Sequence, residues 1–326
     1  MDTTSLLPRL DAAIAAYLAH YRALRRGYDQ EEWVLGSMRT FLVRQRAGDL
    51  DRDVFEQWRN TFSHLHPNSR HTYERIVDSF CRYRRRSEPG CFLPDPASRT
   101  RPIPHALPMP IEPAQIARML AIALTLSPTP ASPLCPRIMR VSVVLLYTCG
   151  LRLGELLRLR LDDVDDRAGV LRIRESKFHK SRWVPLSPSA LVELRKYLEI
   201  RLEQPGVDCR ADAPLLCNHG SGWRAYSKSG MQQALRRSFE AAGLRNHDGR
   251  CPRVHDLRHA HAVETLRRWY AEGADVQVNL PKLALYMGHV SIVSTAYYLR
   301  WMPAVIEHAS ECYERFCGSL ITGDRP

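Results

Sequence analysis

Residues 255 to 259 read His255-Asp256-Leu257-Arg258-His259 and open a segment, residues 255–270, with a helical apolar pattern. A helix would place His255 and Arg258, three residues apart, on one face. An imidazole can exchange a proton there, and a guanidinium offers phosphate a planar fork of donors. A metal site made of His255, His259 and His261 is disfavoured, because the stretch has neither an H-E-x-x-H pattern nor nearby carboxylate ligands. The pattern therefore favours phosphodiester chemistry.

A second arginine stands earlier in the chain, in Thr148-Cys149-Gly150-Leu151-Arg152-Leu153-Gly154-Glu155. Arg152 follows a glycine break and precedes Glu155 by three residues. On the first turn of a helix the carboxylate of Glu155 could orient the guanidinium. Taken alone this pattern is weak, since a surface ion pair would look the same.

Between two short alternating runs, residues 170–175 and 182–186, the sequence predicts a small β-hairpin. Its tip carries Lys177 and Lys180, with Arg182 just beyond. Lysine is suited to protonating a leaving alkoxide, because its pKa falls readily on partial burial. Basic hairpin tips are also common on solvated surfaces, so this signal too is weak alone.

The last two candidate groups are a histidine and a tyrosine. His289 follows a glycine at the end of Leu285-Tyr286-Met287-Gly288-His289, and Tyr298 comes nine residues later. A tyrosine hydroxyl can be the nucleophile of a covalent step if its proton is removed and cations meet the developing charge. Tyr297 and Tyr298 could equally be core aromatic residues of a helix.

The order of these motifs, G-L-R-x-G-E, a lysine-bearing hairpin, H-x-L-R-H, M-G-H and then a tyrosine, closely resembles the tyrosine recombinase (phage integrase) family. The resemblance covers about residues 112–310. It implies that Arg152 and Arg258 clamp the scissile phosphate, that Lys177 protonates the leaving 5′ oxygen and that Tyr298 is the nucleophile. By the same resemblance His255 is the acid/base histidine, His289 a second phosphate-contacting histidine and Glu155 a supporting acid.

This sequence departs from the family pattern at a few positions. Gly154 stands where the family often has Ser, and the hairpin reads S-K-F-H-K instead of the commoner G-K-G-x-K, which leaves Lys180 open as the alternative to Lys177. The family spacing selects Tyr298 from the Tyr297-Tyr298 pair. On a helix Tyr297 would point some 100° away, where it is better placed for packing.

The chain organisation follows from the apolar patterns and the prolines. Residues 1–88 predict an all-α helical bundle, similar to the family's core-binding domain, and residues 89–111 a proline-rich, extended linker. Residues 112–326 are predicted to form a mainly α catalytic domain with a small antiparallel β-sheet or hairpin. A further helix is expected at residues 304–317, which in the family docks onto a neighbouring protomer and here could equally fold back onto its own domain.

Charge and composition agree with a nucleic-acid partner. The 326 residues hold 47 Lys plus Arg against 35 Asp plus Glu, a formal charge of +12, which steers polyanions to the surface. Candidate DNA contacts, besides Lys180 and Arg182, are the cluster Arg82, Arg84, Arg85 and Arg86, although a solvated helix end is as good an interpretation.

Nine cysteines without a C-x-x-C pair predict reduced thiols.

The expected function is therefore site-specific DNA recombination through a 3′-phosphotyrosine, by an integrase or transposon-borne enzyme that needs no cofactor, metal or ATP. The expected partners are double-stranded DNA with paired sites, a self-assembled tetramer on that DNA, and accessory or partner recombinases. With no membrane span and no signal peptide in the sequence, the expected location is cytoplasmic, on the nucleoid. The alternatives are a DNA-binding protein that lost the chemistry, a nicking-closing topoisomerase, and a housekeeping chromosome-dimer resolvase.

Overall fold

The structure, a computed structural model, describes residues 7–24, 27–104, 108–109, 111–174, 181–246, 248–289 and 291–301. The chain divides into two compact units, Met1–Ala106 and Leu107–Pro326, each with its own apolar core. The division falls inside the stretch predicted as a linker. No helix in the described ranges is long and apolar enough to cross a membrane.

In the described part of the first unit, four helices pack together: α1 (Leu7–Ala23), α2 (Asp29–Arg44), α3 (Arg52–Asn60) and α4 (Pro67–Arg84). The carboxylate of Asp51 accepts a hydrogen bond from the backbone of Val54 and so starts α3, while α4 begins with a proline, which needs no donor there. The predicted all-α bundle is confirmed. Its core contains Leu10, Tyr17, Leu18, Val34, Leu35, Met38, Leu42, Leu50, Phe55, Trp58, Ile76, Val77, Phe80 and Cys81.

The proline-rich stretch that follows α4 runs back along that helix. The buried carboxylate of Glu74 accepts hydrogen bonds from the backbone N–H and the hydroxyl of Thr100, at 2.7 Å each, and pairs with Arg59 at 3.0 Å. Asn68 exchanges two hydrogen bonds with the backbone of Ile103. Thr100 and Ile103, which lie within the stretch predicted as a linker, residues 89–111, are thus bound to the first unit.

Arg84, which the sequence predicted as a DNA contact, holds the C-terminal end of α4. Arg84 is buried, and its guanidinium pairs with both carboxylate oxygens of Asp49 and with Glu88 at 2.6 Å. These bonds occupy its donors and tie the loop before α3 to the end of α4. The interpretation of Arg84 as a phosphate contact was therefore wrong, because the helix pattern could not show which arginine of the cluster turns inward.

In its described part, the second unit combines helices with two small antiparallel sheets. The helices are α5 (Pro113–Thr125), α6 (Cys135–Thr148), α7 (Leu153–Arg158), α8 (Pro188–Leu202), α9 (Lys228–Ala241), α10 (Val254–Ala271), α11 (Val276–Met287) and α12 (Val293–Ala296). The strands are β1 (Val164–Asp165), β2 (Val170–Ile173), β3 (Arg182–Pro185), β4 (Cys217–Asn218) and β5 (Arg224–Ala225). A 3₁₀ helix, Tyr297–Trp301, follows α12 directly.

The predicted hairpin is confirmed as the β2–β3 pair of an antiparallel sheet with the order β1-β2-β3. Its register pairs Val170 with Pro185 and Ile173 with Arg182, so Arg182 is the first residue of β3. The β4–β5 pair was missed, because strands of two residues have no alternation to detect. The hairpin tip, residues 175–180 with Lys177 and Lys180, lies outside the described residues.

A close contact between Gly150 and His261 joins the turn before α7 to α10. Gly150 has φ +59°, and a Cβ at that position would lie 2.7 Å from Cδ2 of His261. The ring of His261 stacks against Tyr286 with centroids 5.6 Å apart, and its Nε2 is buried without a hydrogen-bond partner among the described residues. Burial lowers the pKa of His261 to about 4. This histidine is therefore packed as a neutral ring.

We expect Arg84→Met to destabilise the first unit by about 1–3 kcal/mol, because two carboxylates lose a buried partner. Arg85→Met is the matched control, since Arg85 is exposed and its side chain donates to the carbonyl of Pro89. Urea unfolding of the purified full-length variants measures the free energy of unfolding of each. Equal stabilities of the two variants would contradict the anchoring role of Arg84.

We expect the stability of the protein to fall between pH 7 and pH 5, with His261 contributing. An unfolded histidine binds a proton below about pH 6.5, whereas folded His261 does so only near its lowered pKa of about 4. The stabilisation is therefore complete above pH 6.5 and is lost as the pH falls, by about 2 kcal/mol at pH 5.

Denaturant unfolding of His261→Gln at the two pH values should show a smaller loss than the wild type. Exposed His64→Gln is the control and should keep the wild-type difference. Parallel losses in all three proteins would refute the assignment to His261.

Candidate active site

The site begins at the turn into α7. Arg152 is the residue before the helix, and its backbone N–H donates to Oε2 of Glu155 at 3.0 Å while its Nη1 contacts Oε1 at 2.7 Å. Glu155 is buried, and Arg152 is partly exposed. The predicted pairing of Arg152 with Glu155 is confirmed. The carboxylate holds one edge of the guanidinium and the other edge, Nη2, donates to the carbonyl of Gly288 at 2.9 Å.

Helix α10 contributes His255 and Arg258 from one face, as its sequence predicts. Arg258 is buried, and its guanidinium donates to the carbonyl of Gly150 and, at 2.6 Å, to that of Met287. Burial, and next the charge of Arg152, lowers the pKa of Arg258 to about 10. Burial, and next the charge of Arg258, lowers the pKa of His255 to about 4. At neutral pH the face therefore presents a cation beside an uncharged imidazole.

His289 lies just beyond the end of α11. Gly288 ends the helix in the left-handed conformation, φ +66°, which a glycine adopts without strain. Nδ1 of His289 is hydrogen-bonded to the hydroxyl of buried Thr295 at 2.6 Å. Burial, and next the charges of Arg258 and Arg152, lowers the pKa of His289 to about 3. The imidazole is neutral and its ring orientation is set by Thr295.

Tyr298 lies in the 3₁₀ helix and is only 3% exposed. Its ring stacks on that of His289, with the centroids 6.1 Å apart. Burial raises the pKa of Tyr298, and the positive charges of Arg258 and Arg152 act in the opposite direction. The two guanidiniums thus offset part of the effect of burial on the hydroxyl. Tyr297, its neighbour, has its ring centroid 6.3 Å from that of Tyr298, at an interplanar angle of 70°.

The structure adds His259 to the site, which the sequence analysis considered only as a metal ligand. Its ring makes edge contacts with those of His255, 4.6 Å away, and Tyr298, 5.3 Å away. Burial lowers the pKa of His259 to about 4, and protonation of the neighbouring His255 would lower it further. The four-residue spacing from His255 on one helix was the signal that could have predicted this contact.

Arg182, offered by the sequence as a DNA contact, instead lies inside the site. Its side chain is 9% exposed and forms an ion pair with Glu155 at 2.9 Å. The sequence did not predict this ion pair, because Glu155 is 27 residues away in the chain. Helix and strand periodicity predict contacts only between residues that are close in sequence.

The remaining arginine candidates belong to the first unit. Arg82 is about half exposed and pairs with Asp78, while Arg85 and Arg86 are exposed. The guanidinium of Arg86 lies 5.8 Å from the ring centroid of Tyr83. In the described ranges no three His, Cys, Asp or Glu side chains are grouped closely enough to hold a metal ion.

Two arginines, two histidines and a tyrosine, all predicted as site residues, thus converge in the second unit. The sequence profile of the Phage integrase family matches residues 111–303, which include every one of them. A relative from Sinorhizobium fredii (strain NBRC 101917 / NGR234), named "Putative integrase/recombinase y4rB", is 32% identical over 305 residues, 93% of this chain and 96% of the relative. Tyrosine recombinase XerA of Thermococcus kodakarensis is 28% identical over 225 residues, 68% of each chain.

Solved structures agree on the fold. The Tn1549 transposon integrase in complex with transposon right end DNA has a TM-score of 0.64 with 15% identity, over 94% of this chain and 98% of that one. A lambda integrase dimer bound to a core site has a TM-score of 0.56 with 17% identity, over 86% and 95%. With the profile match and the relative from Sinorhizobium fredii, these likenesses lead to one conclusion: the chain belongs to the phage integrase family of tyrosine recombinases.

Proposed function

We propose that this protein is a site-specific DNA recombinase, an integrase or transposon-borne enzyme, that cleaves and rejoins strands through a 3′-phosphotyrosine. The observation that carries the proposal is the position of Tyr298 beside Arg258, Arg152 and His289, in a chain of this family. A tyrosine with two neighbouring guanidiniums has what it needs for nucleophilic attack on a phosphodiester.

In the proposed cleavage step, the Tyr298 oxygen attacks the phosphorus, the bond to the 5′ oxygen breaks and the leaving oxygen takes up a proton. Arg152 and Arg258 neutralise charge on the nonbridging oxygens as it builds up. Neutral His289 can donate a hydrogen bond to the same oxygens. Neutral His255 is proposed to accept the proton that the Tyr298 hydroxyl loses and to return it when the strand is rejoined. Lys177, or Lys180, is proposed as the proton donor to the 5′ oxygen.

The rejoining step reverses the chemistry with a new 5′ hydroxyl. Because the phosphotyrosine keeps the energy of the broken ester, the proposed cycle uses no ATP, and the proposed roles need no metal or other cofactor. Two rounds on paired sites, with four protomers on the DNA, would exchange both strands through a four-way junction. We propose that the protein acts on chromosomal DNA in the cytoplasm.

The alternative of a DNA-binding protein without chemistry is disfavoured by the site itself. Tyr298, both arginines and both histidines are all present and lie together. A silent descendant would be free to lose any of them. The exposed or half-exposed cations of the first unit, Arg82, Arg85 and Arg86, are proposed as contacts to the DNA backbone, since exposed guanidiniums are available to phosphates.

We expect a covalent protein–DNA adduct when the protein is incubated with nicked suicide duplexes from the DNA that flanks its gene. A nick beside the cleavage site lets the short fragment that carries the free 5′ hydroxyl diffuse away, so the adduct accumulates and can be detected on a denaturing gel. Tyr298→Phe should abolish the adduct while binding is retained, because only the nucleophilic oxygen is removed. Tyr297→Phe is the matched control and should form it.

An adduct that persists in Tyr298→Phe and disappears in Tyr297→Phe would contradict the assignment of the nucleophile. Sequence-specific binding without an adduct, in the wild type, would favour the DNA-binding alternative instead.

A further inference from the structure

Arg182 is an almost fully buried cation that makes three hydrogen bonds in the active site. Its Nη1 and Nη2 donate to Oε1 and Oε2 of Glu155, at 3.1 and 2.9 Å. Its Nε donates to the carbonyl of Tyr286 at 2.7 Å. The side chain is 9% exposed, so it has little surface to offer a ligand. These contacts join three elements, the first residue of β3, helix α7 and the last turn of α11.

Glu155 is shared between two arginines. Its buried carboxylate receives Arg182 on both oxygens and Arg152 on Oε1 at 2.7 Å. Burial alone would raise the pKa of Glu155, but the hydrogen bonds and charge of Arg182, followed by those of Arg152, lower it to about 2. Without Arg182 the buried carboxylate would keep a single arginine partner, which is costly for a buried charge and leaves its position fixed by Arg152 alone.

Arg182 also belongs to a group of three arginines that hold the end of α11. The successive carbonyls of Tyr286, Met287 and Gly288 accept hydrogen bonds from Arg182, Arg258 and Arg152. These carbonyls lack partners within the helix and carry the negative end of its dipole, so cations stabilise them. The next residue is His289, whose position therefore depends on where this turn ends.

The fit around this turn is tight. A Cβ on Gly288 would lie 2.8 Å from Nη1 of Arg182. The guanidinium thus occupies the space that any larger side chain at residue 288 would need. A lysine at residue 182 would keep the charge, but a single ammonium cannot reproduce the fork to both oxygens together with the bond to Tyr286.

We infer that Arg182 is a positioning residue of the strand-cleavage reaction, which holds Glu155 and the end of α11 so that Arg152 and His289 meet the scissile phosphate. It acts through these residues and does not itself contact the DNA. The inference rests on the proposed function and deepens it. It assigns to the hairpin strand β3 a part in aligning the phosphate clamp.

The test compares Arg182→Met and Arg182→Lys with a matched control, Arg140→Met. Arg140 also binds one carboxylate, Glu193 at 2.6 Å, and one carbonyl, Leu120 at 2.8 Å, but lies outside the site. The rate of adduct formation is measured in single turnover at saturating suicide duplex. DNA affinity and thermal unfolding are measured for each variant.

A second duplex carries a methylphosphonate at the scissile position. This group has no negative charge, so cleavage depends less on correctly placed guanidiniums. If Arg182 acts through Arg152, Arg182→Met should slow adduct formation less on this duplex than on the phosphodiester. Arg152→Ala should show the same difference between the two duplexes. A defect of folding alone would be the same on both duplexes.

We expect Arg182→Met to slow adduct formation on the phosphodiester by about 100-fold, in line with the loss of one aligned donor. Arg182→Lys should be intermediate, Arg140→Met close to the wild type, and DNA affinity little changed. On the methylphosphonate the defect of Arg182→Met should shrink to less than about tenfold. The double variant with Arg152→Ala should be little slower than Arg152→Ala alone, because the two residues act as one unit.

An equal defect on both duplexes, or a normal rate on the phosphodiester, would overturn the inference. A loss of affinity at an unchanged rate would overturn it in favour of a direct DNA contact. No adduct from the wild type on any duplex would overturn the proposed function, and the inference with it.

Discussion

Burial of the Arg258 guanidinium is the constraint on which the rest of the site depends. A charge 1% exposed must be met by acceptors, and here these are two backbone carbonyls, of Gly150 and Met287. Each carbonyl is available because the chain turns beside it through a glycine with positive φ, Gly150 and Gly288. The two turns also place Arg152 and His289. The same two turns that supply acceptors to the buried cation therefore also position Arg152 and His289.

Concentrated positive charge has a second consequence, which concerns the histidines. Burial and the nearby arginines lower the pKa values of His255 and His289 to about 4 and about 3, so both rings are neutral at pH 7. A neutral ring can be donor and acceptor, which a reaction with proton transfers in both directions needs. A bound phosphodiester would add negative charge beside these rings and raise their pKa values, which prepares them to hold a proton while the ester is present.

Much of this could be predicted from the sequence, because helical spacing is a local property. The pairing of Arg152 with Glu155 and the shared face of His255 and Arg258 each involve residues three apart. The all-α bundle and the β2–β3 hairpin also followed from apolar periodicity. The errors concern long-range contacts: Arg84 turns inward to Asp49, 35 residues away, and Thr100 lies against Glu74, 26 residues away. Lys177 and Lys180 stay predictions, since they lie outside the described residues.

The sequence by itself determined which candidate groups are present, their order and the family they indicate. Motifs and their spacing can be read directly from the linear chain. Only the tertiary structure decided which of these groups lie together. Arg182 looked like a surface cation until the fold placed it between Glu155 and Tyr286, and His259 looked like a possible metal ligand until its ring was found against Tyr298. The physical reason is that burial and charge neighbours, which set the role of an ionisable side chain, are properties of three-dimensional packing.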